Sequence, residues 1–359
     1  MRKLTKRQGL VLWILCGLLV LASCACFFAH SSLAKLLPSQ YAAERWAGEG
    51  DTAFRQVSCF LPADESLSLN QIHGFRYAIL DQLHAAAIEA DTDTRLFRDA
   101  WSASGKLSAS SDLGKGEVSV IAVGGDFFLF HPLRLLSGSY LTESDVMDDR
   151  VLLDEDTAWL LFGGTDLAGM PMKLNGVPFT VAGVVQREQD FASRKAYTAG
   201  QGVYMSFDAY TRLKEGAGAS CYELVMTDPV KNFVLNFVKE KFPIGQGQIV
   251  ENTGRFAFGK VLGLVREFGT RSMQKLGVVN PYWENAARCV EDWCSLMSFF
   301  AVLFLILPAL RLLQTLIRLF RRVKRKLSED LLPDVKDKTE EAIRRQQRRR
   351  WEKKHPGET

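Results

Sequence analysis

The sequence predicts an α+β extracytoplasmic domain, two-lobed, built of mixed sheets with covering helices and held between two transmembrane helices. Three observations predict it. Two apolar runs free of charge lie near the two ends of the chain, basic residues crowd the terminal side of each run, and strand and helix patterns alternate between them.

The first run, Leu10 to Ala29, holds no charged residue. At a rise of ~1.5 Å per residue it is long enough to cross a ~30 Å hydrocarbon core. The second, Trp293 to Leu310, is equally free of charge, and Arg311 at its end is placed to snorkel toward the headgroups. Pro308 is a candidate kink, although membrane helices tolerate proline. Arg2, Lys3, Lys6 and Arg7 precede the first run, and Arg311, Arg318, Arg321, Arg322, Lys324, Arg325 and Lys326 follow the second. Such residues stay on the cytoplasmic side, so both termini are expected inside and the middle outside.

The expected divisions are a cytoplasmic N-terminus (1–9), a first membrane helix (10–29), an extracytoplasmic core domain (30–252), a helical stalk (253–292), a second membrane helix (293–310), and a basic amphipathic helix with a charged cytoplasmic tail (311–359). Leu21-Ala22-Ser23-Cys24 fits the pattern of a lipidated, cleaved signal. The apolar run continues through Ala25, Cys26, Phe27 and Phe28, which fits a retained anchor better. The net charge of +4 over 359 residues hides a partition: residues 311–359 carry 16 Lys and Arg against 8 Asp and Glu, which leaves the middle acidic. Nucleic acid is therefore not an expected partner, and membrane lipids are.

Within the middle, Tyr41 to Ala47 reads as a short helical continuation and Thr52 to Leu61 as a first strand. Ser68 and Gln71 have capping-box spacing, and Ile72, Phe75, Ile79, Leu83 and Ala86 recur on one helical face. Residues 94–123 read as two strands separated by a Ser/Gly-rich turn region at 102–115. Arg150 to Leu153 is a short strand, after which Asp154 caps a helix from Glu155 to Phe162 that Gly163 ends. Asn175-Gly176 joins the strands Met172–Leu174 and Val177–Val185 in a tight hairpin. Tyr222 to Met226 reads as a strand. Asp228-Pro229 opens a helix bearing Val230, Phe233, Val234, Phe237 and Val238. Residues 311–326 form an amphipathic helix, with Pro333 breaking the pattern beyond it.

Several pieces in order carry a family resemblance. They are Val123-Gly124-Gly125-Asp126-Phe127-Phe128; Leu135 to Leu141 with Glu143 and Asp145; Arg150 to Glu155; Leu161-Phe162-Gly163-Gly164; and Leu174 to Val185. With these the stretch from Val118 to Val185 resembles the MacB-like periplasmic core domain of FtsX-type ABC transporter permeases. The resemblance implies a domain inserted between the first and second membrane helices of a protein that does no chemistry itself. It implies a cytoplasmic ABC-type ATPase partner whose motion the helices transmit to the outer domain, and a second permease subunit or a homodimer. Such permeases typically have four membrane helices; this sequence offers two. The alternative expectation is a membrane-tethered binding or scaffold module with no ATPase coupling.

No catalytic residue, cofactor or metal ligand is expected. Gly254 to Val261 satisfies G-x-x-x-x-G-K, but Val261 stands where a phosphate loop needs a hydroxyl for magnesium and two phenylalanines fill the cradle. His30, His73, His84 and His131 lack metal-ligand spacing. Cys16, Cys24 and Cys26 lie in the first span. Cys59 and Cys221 are the candidate disulfide of the outer domain, whereas Cys289 and Cys294 are spaced for two free thiols on a helix. Leu312, Leu316, Arg318, Arg321 and Arg322 form a candidate surface for an ATPase contact or for anionic headgroups.

Overall fold

Along a strand successive side chains point to opposite faces of the sheet, so each face collects alternate residues. The computed structural model describes residues 6–50, 52–88, 96–142, 148–197, 202–243, 247–274, 277–326 and 332–354. Arg2, Lys3, Glu143 and Asp145 lie outside them. Helix α1 runs Lys6–Ala34, a 3₁₀ turn Pro38–Tyr41 and α2 Ala42–Ala47. Then come β1 (Phe54–Phe60), α3 (Leu69–Ala85), β2 (Phe97–Ser110), β3 (Lys115–Gly125), α4 (Phe127–Phe130), β4 (Arg134–Gly138), β5 (Arg150–Asp154) and α5 (Glu155–Phe162). They are followed by β6 (Pro171–Leu174), β7 (Val177–Gln186), α6 (Phe191–Ala196), β8 (Gly202–Ser206), α7 (Phe207–Leu213), β9 (Cys221–Thr227), α8 (Phe233–Lys241) and β10 (Gln248–Glu251). The chain continues through α9 (Phe258–Leu262), α10 (Tyr282–Lys326) and α11 (Leu332–Lys354).

The strands follow the order β10-β1-β9-β2-β3-β8-β5-β7-β4, with β6 pairing both β2 and β7. The β3–β8 and β5–β7 pairs are parallel and the rest antiparallel, so the sheet is mixed. Because β6 bridges β7 back to β2, the strands β2, β3, β8, β5, β7 and β6 complete a closed hydrogen-bonded circuit. The first half of β2 instead pairs β9, Phe97 to Ser102 against Met226 to Cys221. The two lobes thus share one strand.

One face of the sheet packs Val57, Cys59, Val118, Val120 and Leu153 against Ile72, Phe75, Ile79 and Leu83 of α3, Leu161 of α5, Tyr210 of α7 and Phe237 of α8. The alternate residues Phe60, Ile121, Leu152, Tyr204 and Cys221 meet Ala42 and Ala43 of α2, Phe127 and Phe130 of α4, and Trp283 of α10. The local signals place the helices. The Ser68–Gln71 capping box forms in both directions, Asp154 accepts from the Thr157 N–H, and Gly163 ends α5 in the left-handed region.

Three expectations are corrected. The turn between β2 and β3 is confined to Ser111–Gly114, closed by Ser111 N–H to the Gly114 carbonyl at 2.8 Å. The Ser/Gly-rich residues before it remain strand because β3 pairs all of them and because Gly105 makes room for Tyr210, whose hydroxyl would lie 2.0 Å from any Cβ there. Helix α8 begins at Phe233, four residues late. Asp228 does not open it directly but caps it at a distance, accepting from Val234 N–H at 3.1 Å, while Val230 stays exposed. Cys59 and Cys221 are free thiols. The β1–β9 register pairs Cys59 with Tyr222 and Cys221 with Phe60, which sends the two sulfurs to opposite faces of the sheet.

The chain divides into two units, Phe28–Phe299 and a second made of Met1–Phe27 with Phe300–Thr359. Residues 253–292, expected as a stalk, fall inside the first and contribute Phe256, Val261, Ala286, Ala287 and Val290 to a third core cluster. In the second unit Ser23 Oγ donates to the Ala301 carbonyl at 2.9 Å, and both residues are buried. Helix α10 is unbroken at Pro308.

Candidate functional site

Helix α10 opens with a run of side chains that a soluble surface helix would keep in water. Glu284, Arg288, Glu291 and Asp292 recur at helical spacing, and each is at most 6 % exposed. Arg255, just past β10, reaches into this row: its guanidinium donates to Glu284 at 2.7 and 2.8 Å and to Glu291 at 2.7 and 3.2 Å. Arg288 pairs with Glu284 at 2.7 Å and donates to the Arg271 carbonyl and to Gln248 Oε1. Arg271 in turn meets Glu291 at 3.0 Å and Asp292 at 3.3 Å. Three guanidinium groups face three carboxylates. Burial opposes the Arg255 charge, but Glu284 and Glu291 outweigh it and hold the guanidinium protonated.

A polar path leads away from this cluster. Gln40 Oε1 accepts from Arg255 at 3.1 Å and from Asn252 Nδ2 at 2.9 Å. Asn252 Oδ1 lies 2.9 Å from Ser58 Oγ, which lies 3.1 Å from Glu223 Oε1, and the hydroxyl has one proton to share between them. Glu223 Oε2 then contacts His131 Nε2 at 2.5 Å, and the His131 ring sits 4.5 Å from that of Trp283 in the first turn of α10. The path therefore leaves α10 at Glu284 and returns to it at Trp283, crossing the sheet through β1 and β9. Such a path has two ends on one helix and its middle in the core, so a shift of the helix would have to break or carry it.

Beside it, Tyr282 donates to Glu188 at 3.1 Å. Burial pushes the Glu188 carboxyl above its ordinary value, against the pull of Tyr282. The native state therefore keeps this proton to higher pH than the unfolded chain does. The cost of burying the carboxylate is absent at low pH and complete once pH exceeds the folded value. Glu188→Gln is expected to raise the unfolding midpoint at about pH 8 and to change it little at about pH 4, as read by thermal melts of the full chain.

The residues singled out from sequence are scattered. Leu312 and Leu316 are exposed on α10 together with Arg318, Arg321 and Arg322. The G-x-x-x-x-G-K string is tied into the fold: Phe256 and Val261 are buried, Arg255 is ion-paired, and the half-exposed Lys260 meets Glu251 at 2.9 Å. His30 Nδ1 lies 3.1 Å from Ser298 Oγ, which ties the end of α1 to α10. Among the described residues no group of three or more His, Cys, Asp or Glu is arranged to hold a metal ion. Sequence reasoning missed Arg255, Glu284, Glu291 and His131; the row of charges preceding the second apolar run was the one available signal.

The model of one protein family, MacB-like periplasmic core domain, matches residues 64–232. This stretch is a MacB-like periplasmic core domain. In sequence the core domain lies between two helices long and apolar enough to cross a membrane, at Arg7–Ala34 and Tyr282–Arg325. Among solved structures, the core domain is similar to the periplasmic region of MacB from Actinobacillus actinomycetemcomitans, with 16% identity, coverage of 55% of this chain and 89% of that one, and a TM-score of 0.37. The extracellular domain of the noncanonic ABC-type transporter YknZ from Gram-positive bacteria matches at 14% identity over 55% of this chain and 99% of that one, with a TM-score of 0.37. A domain of a putative permease protein from Porphyromonas gingivalis matches at 13% identity, 55% and 88% coverage, and a TM-score of 0.32. No curated protein matches the chain.

Proposed function

We propose that the chain is a non-catalytic, permease-type subunit of an ABC transporter, coupling a cytoplasmic ATPase to an extracytoplasmic domain that binds substrate or partner. The observation that carries this reading is a MacB-like core domain placed between two candidate spans. The Arg255–Glu284–Glu291 cluster supports it, because buried charges fix the setting of α10 against its surroundings more strictly than apolar contacts do. The basic flanks support both termini in the cytoplasm. A second permease subunit or a homodimer would supply the further helices that a transport path needs, and anionic lipids would meet the basic segment after the second span.

A second reading is favoured by a specific observation: among the described residues two helices qualify as spans. On that reading the chain is a tethered binding or scaffold module without ATPase coupling. The test is a mild-detergent pull-down of the tagged full-length chain from its native membrane, with and without trapped ATP, read by mass spectrometry. Recovery of an ATP-binding cassette subunit is expected. Its reproducible absence, with the protein inserted and folded, would leave the tethered module.

A further inference from the structure

The chain between β10 and α10 does not rise as a stalk but lies across the ends of both apolar runs, on the side of the core domain. Two contacts fix its level. Phe268 meets Trp293, the first residue of the second run, edge to face at 5.9 Å. Earlier in the stretch, Phe258 meets the ring of His30, the residue after the first run ends, at 5.8 Å. The two run ends are themselves level, because His30 Nδ1 lies 3.3 Å from the Cys294 carbonyl and 3.1 Å from Ser298 Oγ. Helix α9 and the 3₁₀ turn after it, Gly263–Glu267, therefore follow the plane in which the apolar runs begin.

The stretch changes character where α10 does. Just past Phe268, Gly269 N–H donates to Asp292 Oδ2 at 2.9 Å, and Arg271 pairs with Glu291 and Asp292, the charges that precede Trp293. Before that point the side chains are mostly apolar and mostly unused by the fold. Val261 joins the third core cluster, whereas Phe258, Leu262, Leu264, Val265 and Phe268 belong to none of the three. Phe268 and Trp293 are 42 % and 39 % exposed. Arg266, two positions from Phe268, is exposed and has no ion pair among the described residues. Aromatic rings at the edge of the hydrocarbon, with a long cationic side chain in reach of the phosphates, suit a membrane interface.

We propose that residues 258–268 form a foot that rests on the lipid leaflet facing the core domain, with Phe268 at the depth of the first acyl carbons and Arg266 among the headgroups. The foot seats the core domain directly on the bilayer and carries its contact with lipid beyond the two helices. The proposal rests on reading the two apolar runs as spans and is independent of ATPase coupling.

The test uses the full-length chain in nanodiscs of phosphatidylcholine and phosphatidylglycerol. The photocrosslinker benzoylphenylalanine replaces one of three residues that are each 40 % exposed or more: Phe268, Val302 in the middle of the second run, or Leu113 in the turn between β2 and β3. At Phe268 it exchanges one exposed aromatic ring for another, so the fold is kept. Irradiation and intact-mass measurement then read the gain of one phospholipid. An adduct is expected at positions 268 and 302 and not at 113. An adduct at 302 without one at 268 would overturn the foot and leave the spans standing, and no adduct at either would overturn both. Labelling at 113 as strong as at 268 would also overturn the foot, since lipid contact would then not be particular to it. Arg266→Gln should lower the ratio of phosphatidylglycerol to phosphatidylcholine among the adducts at 268 about fivefold, the effect of one cation at an anionic surface. An unchanged ratio would overturn the placing of Arg266.

Discussion

Arg255→Met is expected to destabilise the folded chain by about 3–5 kcal/mol, the loss seen when one partner of a buried ion pair is removed. The reason is what remains. Glu284 is wholly buried and Glu291 nearly so, and each loses the guanidinium that closes on it at 2.7 Å. Glu284 retains Arg288 and Glu291 retains Arg271, but Gln40 and Asn252 lose the group that orients them. The measurement is a urea unfolding curve of the detergent-solubilised full chain, followed by tryptophan fluorescence. The quadruple change Arg255→Met, Glu284→Leu, Arg288→Met, Glu291→Leu should recover most of the loss, since Arg271 keeps Asp292 and these four charges are removed together. A single-variant loss below about 1 kcal/mol would mean that water or neighbouring groups satisfy the carboxylates without Arg255.

The second large effect concerns the basic segment of α10. Leu312→Asp with Leu316→Asp is expected to abolish recovery of an ATPase in the pull-down while leaving membrane insertion intact. Both leucines are more than half exposed and one helical turn apart, so the change costs the fold little while replacing an apolar contact with charge. Converting Arg318, Arg321 and Arg322 to Gln separates the two roles proposed for this surface. Each basic residue near an anionic leaflet is worth about 1 kcal/mol, so a purely headgroup-binding segment would respond to the arginines and not to the leucines. Retention of the ATPase by the double Asp variant would remove this helix from the coupling route.

What could be read beforehand follows the range of the forces involved. The Ser68–Gln71 box, the Asp154 cap and the Asn175-Gly176 hairpin are set by residues within a few positions of one another, and all three form as expected. Strands β4, β8 and β10 were not foreseen; they have four or five residues each and owe their form to the neighbour they pair with. The buried ion cluster was illegible for the same reason. Arg255 meets carboxylates 29 and 36 positions away, and His131 meets Glu223 across 92. The string around Arg255 was set aside as a phosphate loop from its sequence, but nothing local to it announced the buried ion pairs that Arg255 makes. The disulfide expectation failed on parity: two adjacent strands carried a cysteine each, but one residue of register puts the thiols on opposite faces.

The strand that closes the circuit, β6, makes contact with β2 over just two residue pairs, Ala109 with Leu174 and Ser110 with Lys173. Asn175 extends that seam by one position, accepting Ser108 N–H on its side chain while its own N–H bonds the Ser108 carbonyl. Every other junction around the loop is held over at least three register pairs. A ring fails at its shortest clasp. The β2–β6 seam, with Asn175 at its end, is therefore where local opening of the lobe is expected to begin.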